Sequence, residues 1–167
     1  TLPLFDAEPQ PPQAIADGAV LLRGWAAVND GEWIAAVQQV LAQQPFQAAY
    51  TASGLPMSVR TSNCGEWGWV ASRNGYGYTR SDPATGKPWP AMPLFLKQQA
   101  QALAAQAGYG GFDPDVCLIN CYTVGAKMGL HQDADEKDKT APIVSVSLGL
   151  PCTFVWGGLQ RSDPVRS

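Results

Sequence analysis

Two stretches of the chain place apolar residues at the spacing of an α-helix. In the first stretch the apolar positions are Trp33, Ile34, Val37, Val40 and Leu41. In the second they are Leu96, Ala100, Leu103 and Ala107. Asn29 and Glu32 precede the first run with the spacing of a capping box, and Pro45 ends it. We therefore predict two amphipathic helices whose apolar stripes pack on a core.

Shorter apolar or alternating runs between turn residues predict strands elsewhere. These runs are 18–24, 57–61, 67–70, 75–79, 116–122, 143–150 and 152–156. Asn74-Gly75 lies between two of them and favours a hairpin that carries Trp69, Tyr76 and Tyr78. Short strands separated by turns favour an α+β fold with a sandwich or barrel of the jelly-roll type. Residues 1–16 are rich in proline and are predicted to be an irregular arm.

Composition bounds the class of protein. The chain has 167 residues, which suits a single domain, and no apolar run reaches the roughly 18 residues of a membrane span. Its N-terminus lacks the basic region of a signal peptide, and its four cysteines lack disulfide or zinc spacing. We therefore expect a cytoplasmic monomer with buried, reduced thiols and no membrane partner. A net charge of −3 gives no global attraction to nucleic acid.

The candidate catalytic and metal-ligating residues are His131 and Asp133. In an extended segment, residues two apart point to the same side, so this imidazole and this carboxylate converge. Such a pair matches two ligands of the non-haem iron triad of two His and one carboxylate. The chain contains one histidine, which excludes a complete triad within these residues. By itself the pair also fits an ordinary structural hydrogen bond.

Asn120 and Tyr122 share one face of the predicted strand 116–122, opposite Cys117, Ile119 and Cys121. An amide and a phenol suit a carboxylate or carbonyl ligand, and a polar network inside the core is the alternative. The acidic segment 133–138 does not fit a calcium loop, because Asp138 stands where the required glycine would be. A solvated loop is the default interpretation of these charges.

Several motifs together resemble the bacterial AlkB family. They are 57–59 (MSV), 62–65 (SNCG), 68–69 (GW), 75–78 (GYGY), 87–93 (KPWPAMP), 117–122 (CLINCY), 125–133 (GAKMGLHQD), 135–136 (DE), 142–149 (PIVSVSLG), Phe154 and 157–158 (GG). They cover nearly the whole chain in order and in spacing. Members of this family are Fe(II)- and 2-oxoglutarate-dependent dioxygenases on a double-stranded β-helix, the jelly-roll core. They hydroxylate N-alkyl groups of damaged bases, of the 1-methyladenine and 3-methylcytosine type, in DNA or RNA, and release an aldehyde.

The resemblance implies a role for each candidate residue. His131 and Asp133 would be iron ligands, and Asn120 and Tyr122 would hydrogen-bond 2-oxoglutarate, with O₂ as the second co-substrate. Four further residues would contact the substrate: Trp69 by stacking on a flipped-out base, Tyr76 through the nucleic-acid backbone, Asp135 at the exocyclic amine of the lesion, and Arg161 near the substrate strand. Core packing is the alternative for one of the two tryptophans, Trp67 and Trp69.

The resemblance also implies a division of the single domain 1–167. After the arm, residues 17–112 would supply the N-terminal helices and the nucleotide-recognition hairpin, a lid over the site. Residues 113–167 would be the first part of the jelly-roll core. The family's second iron-ligand histidine and two 2-oxoglutarate arginines would lie beyond Ser167. We therefore expect a shortened form with missing core strands, an incomplete site and little activity by itself.

Two other functions remain open from the sequence. One is a non-catalytic protein that binds alkylated or single-stranded nucleic acid through Trp69, Tyr76 and Tyr78. The other is a related oxygenase acting on protein or free nucleotide, which the net charge of −3 mildly favours. Single- or double-stranded DNA, with RNA as a further target, is the partner that the resemblance favours.

Overall fold

The computed structural model of the protein describes residues 8–51, 54–72, 75–133 and 136–167. Within these residues the chain forms two α-helices, a short 3-10 helix and seven β-strands in three antiparallel sheets. The elements in chain order are β1 (Gln13–Ala16), β2 (Ala19–Leu21), the 3-10 helix (Ala27–Asn29), α1 (Asp30–Leu41), β3 (Gln47–Tyr50), β4 (Pro56–Gly65), β5 (Gly68–Ser72), β6 (Gly75–Thr79), α2 (Leu94–Gln106) and β7 (Val116–Tyr122).

The central sheet has the strand order β3-β4-β7, and β4 is its middle strand. β4 and β7 pair without interruption from Val59 opposite Tyr122 to Gly65 opposite Val116. The predicted strand 116–122 is therefore confirmed, with its bounds. β4 is longer than the predicted strand 57–61 because its second half pairs with β7 on one side, beyond the reach of β3.

The hydrophobic core lies between this sheet and the two helices, and the predicted stripe residues Trp33, Val40 and Leu96 are buried in it, whereas Ile34 of the predicted stripe is exposed. Its buried members are Trp33, Ala36, Val40, Cys64 and Leu96, from α1, β4 and α2. The rings of Trp33 and Phe95 join the two helices in an edge-to-face contact with centroids 5.3 Å apart. The prediction of a capping box was wrong, because the Asn29 side chain forms no capping hydrogen bond.

The predicted aromatic hairpin is confirmed as β5 and β6, which pair from Gly68 opposite Thr79 to Ser72 opposite Gly75. Its turn, including Asn74, lies outside the described residues. The base of the hairpin packs tightly on Trp89, since a Cβ atom at Gly68 would lie 2.2 Å from the Trp89 ring. The Trp89 indole N–H also donates to the Thr79 carbonyl at 2.8 Å.

One correction concerns the N-terminal arm. We expected residues 1–16 to be irregular, but Gln13–Ala16 forms β1 and pairs with β2. The reason is the dipeptide Asp17-Gly18, a hairpin turn signal, with Gly18 at φ +69° in the left-handed region that glycine adopts without strain.

A second correction concerns the predicted strands 143–150 and 152–156. Neither is a strand of a sheet in the described part of the chain, and the pairing there is a single bridge between Trp156 and Arg166. The first segment does alternate between half-buried and exposed positions, and Val146 and Leu148 pack against the core. Its burial pattern is that of a strand, but no described strand lies beside it to complete a ladder.

The four cysteines are free, as expected, but Cys152 is exposed, contrary to the expectation that all are buried. Cys64 and Cys117 face each other across β4 and β7. The hydrogen bond between their thiols, together with burial, raises the pKa of Cys64, while the same bond lowers the pKa of Cys117. Among the described helices, none has the length and apolar character needed to cross a membrane.

A buried carboxylate joins the loop after the hairpin to the central sheet. Asp82 is 2% exposed and accepts hydrogen bonds from the side chains of Gln44, Gln47 and Thr85 and from the Ala84 N–H. Burial opposes ionisation, but these hydrogen bonds outweigh it and lower the pKa of Asp82 below its ordinary value.

We therefore predict that Asp82→Ala lowers the free energy of unfolding by about 1–3 kcal/mol at neutral pH, since the buried Gln44 amide loses its charged acceptor, as do three donors that are more exposed. Urea denaturation measures the change. The control is Asp113→Ala, which removes an exposed ion pair with Lys97 and costs about 0–1 kcal/mol.

The same carboxylate predicts a dependence of stability on pH. A carboxyl with a lowered folded-state pKa stabilises fully above its unfolded-state value of about 3.9, and this contribution is lost as pH falls through the folded-state pKa. The difference in unfolding free energy between the natural protein and Asp82→Ala should therefore shrink below about pH 4. A difference that stays constant into more acidic solution would contradict the assignment.

Candidate active site

One face of the β4–β7 pair carries the polar residues that the sequence singled out. Asn120 and Tyr122 point to the side opposite Cys117 and Ile119, which pack on the core. Asn120 and Tyr122 are exposed, so they do not form the alternative polar network inside the core. Asn63 of β4 lies on the same face, because it is two residues from Thr61, the cross-strand partner of Asn120.

Tyr122 is held at the end of β7. Its hydroxyl lies 3.7 Å from the Met128 sulfur, within a weak hydrogen bond. The part of the Tyr122 side chain that is shielded from water raises the pKa of this phenol, and its proximity to Cys152 acts in the same direction. The phenol therefore stays protonated over a wider range of pH and remains a hydrogen-bond donor for a ligand.

The segment from β7 to His131 is fixed by a serine of β4. The Ser58 hydroxyl donates to the Lys127 carbonyl at 2.9 Å and accepts from the Lys127 N–H at 3.2 Å. Both backbone groups of Lys127 are thus bound by one side chain. This bond sets the starting point of the segment that carries His131 and Asp133.

His131 and Asp133 come together as their spacing predicts. The His131 Nε2 atom lies 3.4 Å from the Asp133 Oδ1 atom, and both side chains are half exposed. The His131 Nδ1 atom lies 2.7 Å from the Gly129 carbonyl oxygen. A carbonyl only accepts hydrogen bonds, so Nδ1 carries a proton in this contact. In the neutral imidazole this leaves the lone pair on Nε2, facing the carboxylate.

This donor set fits a metal ion. Two lone-pair atoms face each other at 3.4 Å, a separation that two neighbouring ligands about 2.1 Å from one ion can span. A histidine whose second nitrogen donates to a carbonyl is the usual arrangement in metal sites. The described residues contain no group of three or more His, Cys, Asp or Glu that could hold a metal. His131 and Asp133 are therefore two candidate metal ligands within the described chain.

The predicted aromatic surface lies on one face of the β5–β6 hairpin. Trp69 is opposite Tyr78 in the register, and its ring stacks on Tyr76 with centroids 5.3 Å apart and planes at 18°. Trp69 is half-buried and Tyr76 is exposed. Tyr76 covers one face of the indole, so a base would stack on the other face or displace Tyr76.

Trp69 is positioned by Asn63, a buried residue to which the sequence gave no role. Asn63 is 4% exposed; its amide N–H donates to the Trp69 carbonyl at 3.0 Å, and its oxygen accepts from the Trp69 N–H at 2.9 Å. Both backbone groups of Trp69 are therefore bound to β4. Trp89 packs against Gly68, the residue before Trp69, and this contact is a second restraint on the position of Trp69.

The hairpin also contacts the segment that follows Asp133. The Tyr78 hydroxyl donates a short hydrogen bond to the Glu136 carboxylate. Glu136 is the third residue after Asp133, so this bond links the hairpin to a position close in sequence to the pair His131 and Asp133. Asp135, a predicted substrate contact, lies outside the described residues.

Arg161 lies on a segment that contacts the residue between His131 and Asp133. The Gln132 amide, between His131 and Asp133 in sequence, donates to the Leu159 carbonyl at 3.0 Å. Arg161 is two residues further along and exposed. The structure therefore brings the segment that contains Arg161 close to the predicted ligands.

The double hydrogen bond of Asn63 generates a prediction. Asn63→Ala removes both bonds to Trp69, so we expect a loss of about 1–3 kcal/mol in unfolding free energy and faster amide exchange in β5. Hydrogen-exchange mass spectrometry measures the second effect. The control is Asn29→Ala, because Asn29 forms no side-chain capping bond. Unchanged exchange in β5 of Asn63→Ala would show that Trp69 is positioned by other contacts.

Comparison with known proteins assigns the family. Residues 18–167 match the 2OG-Fe(II) oxygenase superfamily. The chain is 52% identical over 166 residues to the alpha-ketoglutarate-dependent dioxygenase AlkB of Escherichia coli (strain K12), covering 99% of this chain and 76% of that protein. It is 48% identical over 165 residues to the protein of the same name from Salmonella typhimurium, covering 99% of this chain and 76% of that protein.

A more distant relative is the DNA N(6)-methyladenine demethylase ALKBH1C of Arabidopsis thaliana, 29% identical over 178 residues, covering 92% of this chain and 38% of that protein. The superfamily match spans most of the chain, and the two bacterial relatives match nearly all of it. The chain therefore belongs to the AlkB family of dioxygenases within the 2OG-Fe(II) oxygenase superfamily.

Proposed function

We propose that this protein removes alkyl groups oxidatively from N-alkylated bases, of the 1-methyladenine and 3-methylcytosine type, in DNA or RNA. AlkB-type enzymes use Fe(II), 2-oxoglutarate and O₂. The observation that carries the proposal is the Tyr78–Glu136 hydrogen bond, which joins an aromatic hairpin to the segment bearing His131 and Asp133. A base-stacking surface thereby adjoins a pair of metal-ligating side chains.

The proposed roles of His131 and Asp133 follow from their donor atoms. The imidazole would bind Fe(II) through Nε2, and the Gly129 carbonyl would keep the ring in the tautomer that this requires. The carboxylate would bind through the oxygen that faces Nε2. Iron held by these two residues would supply, with O₂ and 2-oxoglutarate, the chemistry for hydroxylating an alkyl group, in which one oxygen atom goes to the alkyl carbon and the other to succinate, with release of CO₂.

Asn120 and Tyr122 would orient 2-oxoglutarate. Both lie on the exposed face of β7, and both can donate hydrogen bonds to a carboxylate or ketone oxygen. Their attachment to a paired strand fixes the separation of the two donors at the period of a strand.

The substrate base would stack on Trp69. A base must leave the helical stack to reach a metal centre, and alkylation at the pairing edge lowers that cost. The target bases are cationic, so an indole face adds cation–π attraction to stacking. Tyr76 and Arg161 would contact the nucleic-acid strand, and Asp135 the exocyclic amine. A cationic base bound at a small aromatic site also explains how a chain of net charge −3 can act on nucleic acid.

The iron-ligand role of Asp133 has a direct test in the protein as its gene encodes it. Asp133→Ala should abolish succinate formation with a 1-methyladenine oligonucleotide, because one of the two described ligands is removed. The matched control is Asp138→Ala, an exposed aspartate of the same segment that accepts hydrogen bonds from Thr140. Undiminished succinate formation by Asp133→Ala would refute the ligand role. Absence of turnover by the natural protein would refute the proposed function itself.

The stacking role of Trp69 predicts a loss of substrate binding. Stacking of a base on an aromatic side chain is worth about 1–3 kcal/mol, so Trp69→Ala should weaken binding of a methylated oligonucleotide about 5- to 150-fold. Trp69→Phe should recover part of the loss. Tyr50→Ala is the control, since Tyr50 is an exposed aromatic residue of β3. Fluorescence anisotropy gives the dissociation constants, and equal values for Trp69→Ala and the control would contradict stacking.

A further inference from the structure

Two cations are held around the ring of Trp67, a residue to which the proposed function gives no role. The Arg80 guanidinium carbon lies 4.5 Å from the centroid of the Trp67 ring, and the Lys137 ammonium lies 5.4 Å from it. Arg80 follows β6, whereas Lys137 belongs to the segment after Asp133. We call Arg80 and Lys137, the two cations that contact this ring, the Trp67 cation pair.

The two cations have no carboxylate partner among the described residues. No ion pair within 4.0 Å involves Arg80 or Lys137 in the part of the chain that the structure covers. The acidic neighbours of Lys137 are engaged elsewhere: Glu136 accepts from Tyr78, and Asp138 accepts from Thr140. In a chain of net charge −3, two unpaired positive charges around one ring form a local site of the opposite sign.

The Trp67 cation pair adjoins the aromatic surface of the hairpin. β5 and β6 pair from Gly68 opposite Thr79, so continuing the register by one residue places Arg80 opposite Trp67. Trp67 precedes Gly68 and Arg80 follows Thr79, the last pair at this end of the hairpin. The cations therefore lie at the base of the hairpin that carries Trp69, on which the alkylated base would stack.

We propose that Arg80 and Lys137 form a binding site for a phosphate group of the nucleic-acid strand that carries the alkylated base. This inference rests on the proposed function and adds to it a preference for a polynucleotide over a free nucleoside. A guanidinium presents its N–H groups in a fork that matches phosphate, and an ammonium adds a second charge. Contact with the Trp67 ring orders both long side chains before the strand binds and reduces the entropy lost on binding.

The experiment measures the salt dependence of binding. A fluorescein-labelled single-stranded oligonucleotide with one 1-methyladenine is titrated with the protein, as its gene encodes it, at several salt concentrations between about 50 and 200 mM. Each phosphate contact on a single strand contributes about 0.7 to the slope of log K against log salt concentration. Arg80→Gln and Lys137→Gln should each reduce the magnitude of the slope by about 0.7, and the double variant by about 1.4.

Three controls separate a phosphate contact from a structural role. Arg80→Lys and Lys137→Arg keep the charge and should retain most of the slope. Lys97→Gln removes a cation that is paired with Asp113 on another part of the surface and should leave the slope unchanged. Binding of 1-methyladenosine, which has no phosphate, should be the same for the natural protein and for the double Gln variant.

A double Gln variant with the natural slope would overturn the inference. So would a loss of affinity that is the same at all salt concentrations or that extends to 1-methyladenosine, since either result indicates a disturbed hairpin. The proposed function is judged separately, by succinate formation in the natural protein. Turnover with an unchanged slope refutes only the phosphate site, whereas absence of turnover refutes the function.

Discussion

The pairing of β4 with β7 is the constraint on which the rest of the structure depends. Its seven-residue register directs Cys64, Cys117 and Ile119 to the helices and turns Asn63, Asn120 and Tyr122 to the opposite face. Because side chains alternate along a strand, a slip by one residue would exchange the two sets. The apolar core therefore fixes the register, and the register presents the polar residues. The same register is therefore needed both for a stable core and for the geometry of the candidate site.

The other parts of the candidate site lie on segments outside this sheet, and polar side chains of β4 bind the backbone of these segments. Ser58 binds both backbone groups of Lys127 and so places the approach to His131, whereas Asn63 binds both backbone groups of Trp69. Bonds to backbone atoms position a segment whatever its side chains are. The superfamily to which the chain belongs implies a jelly-roll core, and β4 and β7 supply paired strands to which these segments are attached.

The parts of the structure that could be predicted from the sequence are those that depend on the spacing of residues within one short segment. Alternation along 116–122 gave the two faces of β7, and the two-residue spacing of His131 and Asp133 predicted their approach. The roles of Ser58 and Asn63 were missed because they depend on backbone atoms of segments whose position no spacing pattern specifies. The strand predicted for 143–150 was wrong, since a ladder needs a neighbouring strand, although the segment does alternate between half-buried and exposed positions. The dipeptide Asp17-Gly18 predicts a hairpin turn, but the high proline content of residues 1–16 favoured the incorrect prediction of an irregular arm.

The packing of Trp89 against Gly68 has a spectroscopic consequence. Trp67 and Trp69 flank this glycine in sequence, so three of the six tryptophans of the chain surround the base of one hairpin. Each has a different neighbour: Trp67 has two cations, Trp69 has the Tyr76 ring, and Trp89 has the Thr79 carbonyl. Indole emission depends on such surroundings. A movement of the hairpin would therefore change the intrinsic tryptophan fluorescence of this protein, which can be measured without an attached dye.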